Sequence, residues 1–369
     1  MELILDDVSL TYRGEPWLTN VSLTAESGMT VLVGPSLSGK TTLMRVIAGL
    51  VQPDSGRILV NGDDVTGVSV RKRSVAFVYQ QFINYPSLTV RENLASPLRL
   101  AKHPHVADRV REVAELMGIE HLLDRRPAEL SGGQQQRTAI GRALALPVDV
   151  LLLDEPLANL DYKLREQLRV DLADLFRESG RVVLWATAEP EEALGFAAPT
   201  VVLGEGTVLH AGDVGELYRH PPRLAIAQAL SDPPLNLLPG VAGDGRIECL
   251  GATFPAPGAR GDDRPVTLGV RPHQVAIERR GPDDLALPAE IRLAEVTGSA
   301  TYLHLAARGA AGSAGGEPGV HLVAELAGTR LFTPGEPATA FVDPSDVFVF
   351  DTATGRVLAE DATEVDLHG

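Results

Sequence analysis

One stretch limits what this chain can become: VLVGPSLSGKTTLMRVIAGL, from Val31 to Leu50. A short apolar run leads into Gly34-x-x-x-x-Gly39-Lys40-Thr41, and a helical pattern follows until Gly49. Strand, glycine-rich turn and helix in that order turn successive backbone N–H groups inward at a helix N-terminus, where negative charge is stabilised. Lys40 adds a cation able to reach the β- and γ-phosphates of a nucleoside triphosphate, and the Thr41 hydroxyl is placed to bind Mg²⁺. The cradle is expected to run through Gly34, Pro35, Ser36, Leu37, Ser38, Gly39, Lys40, Thr41 and Thr42.

Up to about residue 230 the pattern around this cradle is that of an α/β chain. Short β-like runs (TVLVG, SVAFVYQ, DVLLLDEP, RVVLWAT) are separated by longer helical patterns, which argues for a largely parallel sheet. VLLL and VVLW are apolar on both faces, as central parallel strands are. Between Leu88 and Leu130 the strands stop. VADRVREVAELMGIEHLL carries Val106, Val110, Val113 and Met117 at helical spacing, so a helical insertion is expected there. After Ser231 the texture changes. SDPPLNLLPG reads as a linker, VTLGV, QVAIE, PATAFV and DVFVF as short strands of a small β-barrel-like domain, and AARGAAGSAGGEPG as a flexible loop. The 369 residues are ample for two cores, divided as 1–230 and 231–369. A single cysteine, Cys249, fits a reducing compartment, and neither an export signal nor an apolar run of ~18 residues is visible. The net charge of −16 argues against a chain that wraps nucleic acid, which needs clustered Lys and Arg.

Two further motifs complete a nucleotide-hydrolysing site. VLLLDEPLANLD puts Asp154 and Glu155 at the end of a buried strand. Asp154 would hold Mg²⁺ and Glu155 would polarise the attacking water, the two roles that phosphoryl transfer to water needs. In LSGGQQQR, Ser131 can cap a helix whose apolar face runs through Ala139, Ile140, Ala143 and Leu144, while Gly132 and Gly133 leave N–H groups bare at its N-terminus. That is a second anion site, and one P-loop does not need two. The economical explanation is that Ser131, Gly132, Gly133 and Gln134 serve the γ-phosphate held by another subunit.

With cradle, LSGGQ and Asp-Glu in this order, the chain resembles the ATP-binding cassette (ABC) ATPases. The resemblance implies a P-loop cassette with a mainly parallel sheet and a helical subdomain at about residues 88–135, using ATP and Mg²⁺. In many of those ATPases glycine stands where Leu37 stands, and a slightly altered but competent loop is expected. Tyr12 matches the aromatic that stacks on adenine, and Gln80 the glutamine that touches Mg²⁺ and reports to the membrane subunits. Asp161 in LANLD matches the loop that crosses the dimer interface. The helix after it is expected to pack through Leu160, Leu164 and Leu168. LGVRPHQV, VTGSATYLHL and FVDPSDVFVFDTATGRVL resemble the C-terminal β-domain (OB-like, the TOBE type) of carbohydrate importers of the maltose and glycerol-3-phosphate kind. VYQQFINYPSLTVRENLASPLR and EPLANLDYKLREQLR look closer still to the ATPase subunits of glycerol importers. Partners implied are two transmembrane permease subunits, a second cassette chain and, indirectly, a periplasmic or extracellular substrate-binding protein, with the chain at the cytoplasmic face of the inner membrane.

LWATAEPEEA departs from the family pattern. The position of Ala188 normally carries a histidine that hydrogen-bonds the γ-phosphate. Alanine has no donor, Glu189 would repel phosphate, and Thr187 lies one strand position early and points to the other face. The expectation is a heterodimer with unequal sites, a homodimer being the rival. A non-hydrolysing regulatory subunit, a soluble cassette acting on DNA or ribosomes, and a polyamine or inorganic-anion importer stay open as alternatives.

Overall fold

The computed structural model describes residues 1–81, 83–158, 160–177, 180–256, 261–308 and 319–358. The chain forms two compact units, Met1–Glu216 and Leu217–Gly369.

The first unit opens with the hairpin β1 (Glu2–Tyr12) and β2 (Glu15–Glu26), followed by β3 (Gly28–Val33) and α1 (Lys40–Ile47). Next come β4 (Ser55–Val60), β5 (Asp63–Asp64) and β6 (Val75–Val78). Three helices form the insertion: α2 (Val90–Leu100), α3 (Val106–Leu116) and α4 (Gly132–Ala145). The unit closes with β7 (Val150–Asp154), α5 (Tyr162–Arg177), β8 (Val182–Thr187), α6 (Pro190–Phe196), β9 (Pro199–Gly204) and β10 (Thr207–Asp213). Two sheets result. One is antiparallel, ordered β2-β1-β4-β5; the other runs β10-β9-β3-β8-β7-β6, with only the β9–β10 edge antiparallel. β7 and β8 are buried at every residue, which is why their sequences lack alternation. The core joins both sheets to α1 through residues such as Leu5, Leu32, Met44 and Leu184.

Leu160 lies ahead of α5, so the helix begins two positions later than the leucine spacing implied; Leu160 and Leu168 are buried, and the Leu164 side chain lies outside the described ones. Of the face expected for α3, Val110 and Val113 are buried, as is Met117 just after the helix, while Val106 is half-buried.

The second unit takes in α8 (Leu224–Ala229), which follows the short helix α7 (Val214–Arg219). Ala227 packs with Leu235 and Phe350, so the segment 217–230 belongs to this unit although the sequence placed it in the first. Its two antiparallel sheets are built from β11 (Asn236–Gly243), β12 (Arg246–Cys249), β13 (Ala252–Pro255), β14 (Arg264–Val270), β15 (Leu285–Val296), β16 (Ala300–Ala307), β17 (Val320–Ala327), β18 (Pro337–Val342) and β19 (Phe348–Asp351). Their orders are β13-β12-β11-β14-β19 and β17-β16-β15-β18. Two readings are corrected. NLLPG is no linker but the start of β11, which pairs with β14 from Asn236 onward. QVAIE is no strand: Pro272 nucleates a 3₁₀ turn at Pro272–Gln274, and only an isolated bridge from Ala276 to Phe341 follows. Most of the expected loop at 306–319 lies outside the described residues. Cys249 is buried, which pushes its thiol up to about 11.

Candidate functional site

Parallel strands deliver their carboxyl ends to one edge of a sheet, and ligands bind there. In this register Val33 pairs with Thr187, Asp154 with Ala186, and Val78 with Leu153. The cradle after Val33, Gln80 after β6, Asp154 and Glu155 at the end of β7, and Ala188 after β8 therefore share that edge. Residues far apart in sequence are brought together by topology alone.

The cradle opens on a cavity of about 570 Å³. Its walls include Ser36 to Thr42, Gln80 and Glu155, joined by Pro16, Trp17, Glu205 and Gly206. Lys40 is buried, and its Nζ donates to the carbonyls of Gly34 (2.7 Å) and Pro35 (3.0 Å), which leaves one ammonium proton over. Burial holds the Lys40 amine below its usual range, against the pull of Glu155 and Asp154. The Ser38 hydroxyl is buried without a partner. A Cβ on Gly34 would run into the Leu203 carbonyl, so only glycine lets the loop leave the strand here. Leu37 has φ 69 and is fully exposed. The turn imposes a left-handed conformation there, at a cost of roughly 1–2 kcal/mol for an L-residue, which explains why glycine suits the position.

Opposite the cradle, the Thr41 hydroxyl donates to Asp154 Oδ2 at 2.8 Å, and Gln80 Nε2 donates to Glu155 Oε2 at 2.6 Å. Glu155 has φ 46 and anchors its N–H to the Ala186 carbonyl at 2.9 Å. Such backbone strain in a non-glycine residue costs on the order of 1–3 kcal/mol and collects at functional sites. Burial raises both carboxyls above their usual range, opposed at Asp154 by the Thr41 hydrogen bond and Lys40, and at Glu155 by Lys40. Among the described residues no group of three or more His, Cys, Asp or Glu could hold a metal by itself. The hard-oxygen pair of Thr41 and Asp154 instead suits Mg²⁺, which takes one or two protein oxygens and completes its shell with water and substrate phosphate.

The end of β8 adds an unforeseen pair. Thr187 is buried, its hydroxyl accepting from the Glu189 N–H at 3.0 Å. The Glu189 carboxylate is held by Arg165 Nη1 at 2.9 Å, so the residue after Ala188 is tied to the helix that follows Asp161. Asp161 itself is exposed immediately before α5.

Ser131 caps α4: its hydroxyl accepts from the Gln134 N–H (3.4 Å) while Gln134 Oε1 accepts from the Ser131 N–H (3.0 Å). A Cβ on Gly132 would meet nothing within 4 Å. Ala139, Ile140, Ala143 and Leu144 are all buried. No residue of 131–134 lines the cavity. Buried Gln136, which donates to the Pro156 carbonyl, links this helix to the loop after Glu155. Tyr12 is half-exposed and does not line the cavity either. Sequence reasoning missed Trp17, Arg165, Glu205 and Gly206. Only the GEG at 204–206 carried a local signal: Gly206 (φ 75) donates its N–H to the Ser38 carbonyl at 3.0 Å, and a Cβ there would strike the Trp17 carbonyl.

A P-loop at the carboxyl edge of a parallel sheet, faced by two carboxylates, defines a nucleotide-hydrolysing fold. Residues 18–158 match the ABC transporter family, 236–277 the CysA C-terminal regulatory domain and 268–350 the TOBE domain. The chain is 35% identical to a sn-glycerol-3-phosphate import ATP-binding protein of Paracoccus denitrificans, over 96% of this chain and 98% of that one. It is 35% identical to a xylose/arabinose import ATP-binding protein of Haloferax volcanii (96% and 91% covered). It is 34% identical to a trehalose/maltose import ATP-binding protein of Thermococcus litoralis (89% and 91%). Among solved structures, a dimeric ATP-binding cassette in a post-hydrolysis state, bound to ADP and Pi, superposes with a TM-score of 0.53 at 30% identity, covering 57% of this chain and 98% of that one. The chain belongs to the ATP-binding cassette transporter ATPases, in the branch of import ATP-binding proteins that carry a TOBE domain. Among the described residues no helix is long and apolar enough to cross a membrane.

Proposed function

We propose that this chain binds and hydrolyses ATP to drive uptake of a carbohydrate or polyol, with glycerol or its phosphate the leading cargo, from the cytoplasmic face of the inner membrane. The observation that carries the hydrolytic role is the arrangement of Thr41–Asp154 and Gln80–Glu155 against the P-loop cavity. Backbone N–H groups of Ser36 to Thr42 and the Lys40 ammonium would hold the phosphates, Lys40 exchanging its two carbonyl partners for phosphate oxygens. Thr41 and Asp154 would hold Mg²⁺, which when bound neutralises charge on the transferring phosphoryl group. Glu155 would orient and deprotonate the attacking water, with Gln80 steering its carboxylate. Ser131 to Gln134 would close over the γ-phosphate of a second cassette, and Asp161 would lie at the dimer interface. The cargo assignment draws on the relatives, whose printed substrates are glycerol-3-phosphate and sugars.

A dimer with two permease subunits, supplied by a substrate-binding protein, is the assembly this reading requires. That the second cassette is a different polypeptide rests on Ala188 alone and is not favoured by the comparisons. The test is purification of the assembled transporter from its host, followed by uptake of labelled glycerol, glycerol-3-phosphate and maltose. ATP-dependent uptake of one of them that Glu155→Gln abolishes supports the reading. Unchanged uptake of all three in cells lacking the chain overturns it. A second cassette polypeptide in the purified complex supports unequal sites, and this chain alone at full ATPase rate rules them out.

A further inference from the structure

We propose that the outer face of the sheet β17-β16-β15-β18 carries a site for a divalent first-row transition cation of the zinc type, held by His304 and His321 with Glu295 behind them.

Strand register makes the site. His304 of β16 pairs with Leu293 of β15 and with Val323 of β17, so Glu295 and His321 stand two residues off on either side and share its face. Leu303, Leu305 and Leu322 point the other way, into the core. Leu293, Glu295 and His321 are exposed. The two imidazole rings lie 29° from parallel with centroids 5.3 Å apart, and His304 Nδ1 comes within 3.1 Å of His321 Nε2. Two nitrogens at that separation match the bite of one metal. With Zn–N bonds of about 2.0–2.1 Å, two ligands of a tetrahedron sit ~3.3 Å apart. On the far side of His304, a Glu295 carboxylate oxygen lies 3.5 Å from Nε2. A carboxylate there keeps the ring proton on Nε2 and turns the Nδ1 lone pair toward His321, the order of carboxylate, imidazole and metal that orients ligands in metal sites. Without a cation, His321 Nε2–H donates to that lone pair. On binding, the proton moves to the other ring nitrogen of His321 and the cation takes its place. The described residues hold no group of three ligands, so the protein supplies two and water completes the shell. Imidazole selects zinc, nickel or copper over the Mg²⁺ that the oxygens of Thr41 and Asp154 suit. β17 is an edge strand, and a cation shared with β16 fastens it.

The untagged full chain is titrated with Zn²⁺ by calorimetry in excess Mg²⁺, which occupies the hard-oxygen site, and Tm is measured with and without Zn²⁺. One Zn²⁺ per chain and a raised Tm are expected, because a ligand that binds only the folded state stabilises it. His304→Asn and His321→Asn each abolish both effects. Glu295→Gln weakens binding by about tenfold to a hundredfold. All three variants keep a near-wild-type Tm without Zn²⁺, since the side chains lie on the outer face. Glu295 is 57% exposed, so its variant decides alone if a histidine change lowers that Tm. His103→Asn, at the other close pair of histidines (His103 and His105), leaves binding unchanged. The inference is overturned if Zn²⁺ does not bind, if His103→Asn removes the binding, if binding survives either change at His304 or His321, or if Glu295→Gln binds as tightly as the wild type.

Discussion

Ala188 stands where the resemblance to the ABC ATPases implies a histidine. It follows Thr187, the register partner of Val33, so it stands beside the start of the cradle. Thr187 is buried, its hydroxyl accepting from the Glu189 N–H, and Arg165 gives Nη1 to the Glu189 carboxylate while its buried Nε has no partner. Arg165 cancels a negative charge that would otherwise face the phosphates. One preorganised donor aimed at charge that develops in the transition state changes rates by on the order of 10²–10³. Ala188→His in the assembled transporter is therefore expected to accelerate single-turnover ATP cleavage by a factor in that range, with nucleotide affinity little changed. An unaltered rate would mean that another group already fills the role. The motif residues were legible because phosphate chemistry dictates their spacing. Trp17, Arg165 and Glu205 were not, because each reaches the site from a segment whose local sequence carries no phosphate signal, and only the register of the sheet brings them in.

At the scale of elements, the end of β8 is set by a buried carboxyl. Trp185 Nε1 donates to Glu192 Oε2 at 3.0 Å, joining β8 to α6 inside the core. Burial raises the Glu192 carboxyl above its usual range, with the Trp185 and Thr187 hydrogen bonds opposing the rise. The sign follows from linkage. As pH climbs past the unfolded value, near ~4.3, the unfolded chain gives up its proton first, so stability falls until the folded group has also ionised. Glu192→Gln keeps an acceptor for Trp185 and carries no charge. It is expected to raise the Tm of the nucleotide-free chain at about pH 8, and the gain should shrink as pH is lowered towards ~4. A gain that is constant with pH, or a loss, would show that the carboxylate is better solvated than its burial implies. The same element shows why strands were easier to read than their limits. VVLW is apolar on both faces because neighbours cover both, a pattern no surface strand shares. In the second unit QVAIE has the composition of a strand, yet Pro272 upstream spends its start on a turn. NLLPG has the composition of a linker, yet β14 pairs with it residue by residue.

For the whole molecule, the decisive fact is where the signature turn is not. The cavity draws its walls from β2, the P-loop, Gln80, Glu155 and the β9–β10 turn, and none from Ser131 to Gln134. The N-terminus of α4 is capped by Ser131 and open beside Gly132, the geometry of a helix end that can receive an anion. Two chains arranged head to tail would bring each such turn to the other chain's cavity. The related cassette solved with ADP and Pi is a dimer. Closure needs ATP, whose γ-phosphate is the group the second chain would grip, and it should persist when hydrolysis is blocked. The full chain with Glu155→Gln is therefore expected to run as a monomer without nucleotide and as a dimer with MgATP in light scattering after gel filtration. Gly133→Asp in that background places a carboxylate against the partner's phosphate and should leave the chain monomeric with MgATP, while MgADP binding, which needs only the chain's own cradle, stays intact. If Gly133→Asp dimerises as readily as its parent, or if MgATP leaves the parent monomeric and no second cassette chain from the host pairs with it, the turn at 131–134 serves something other than a neighbour's nucleotide.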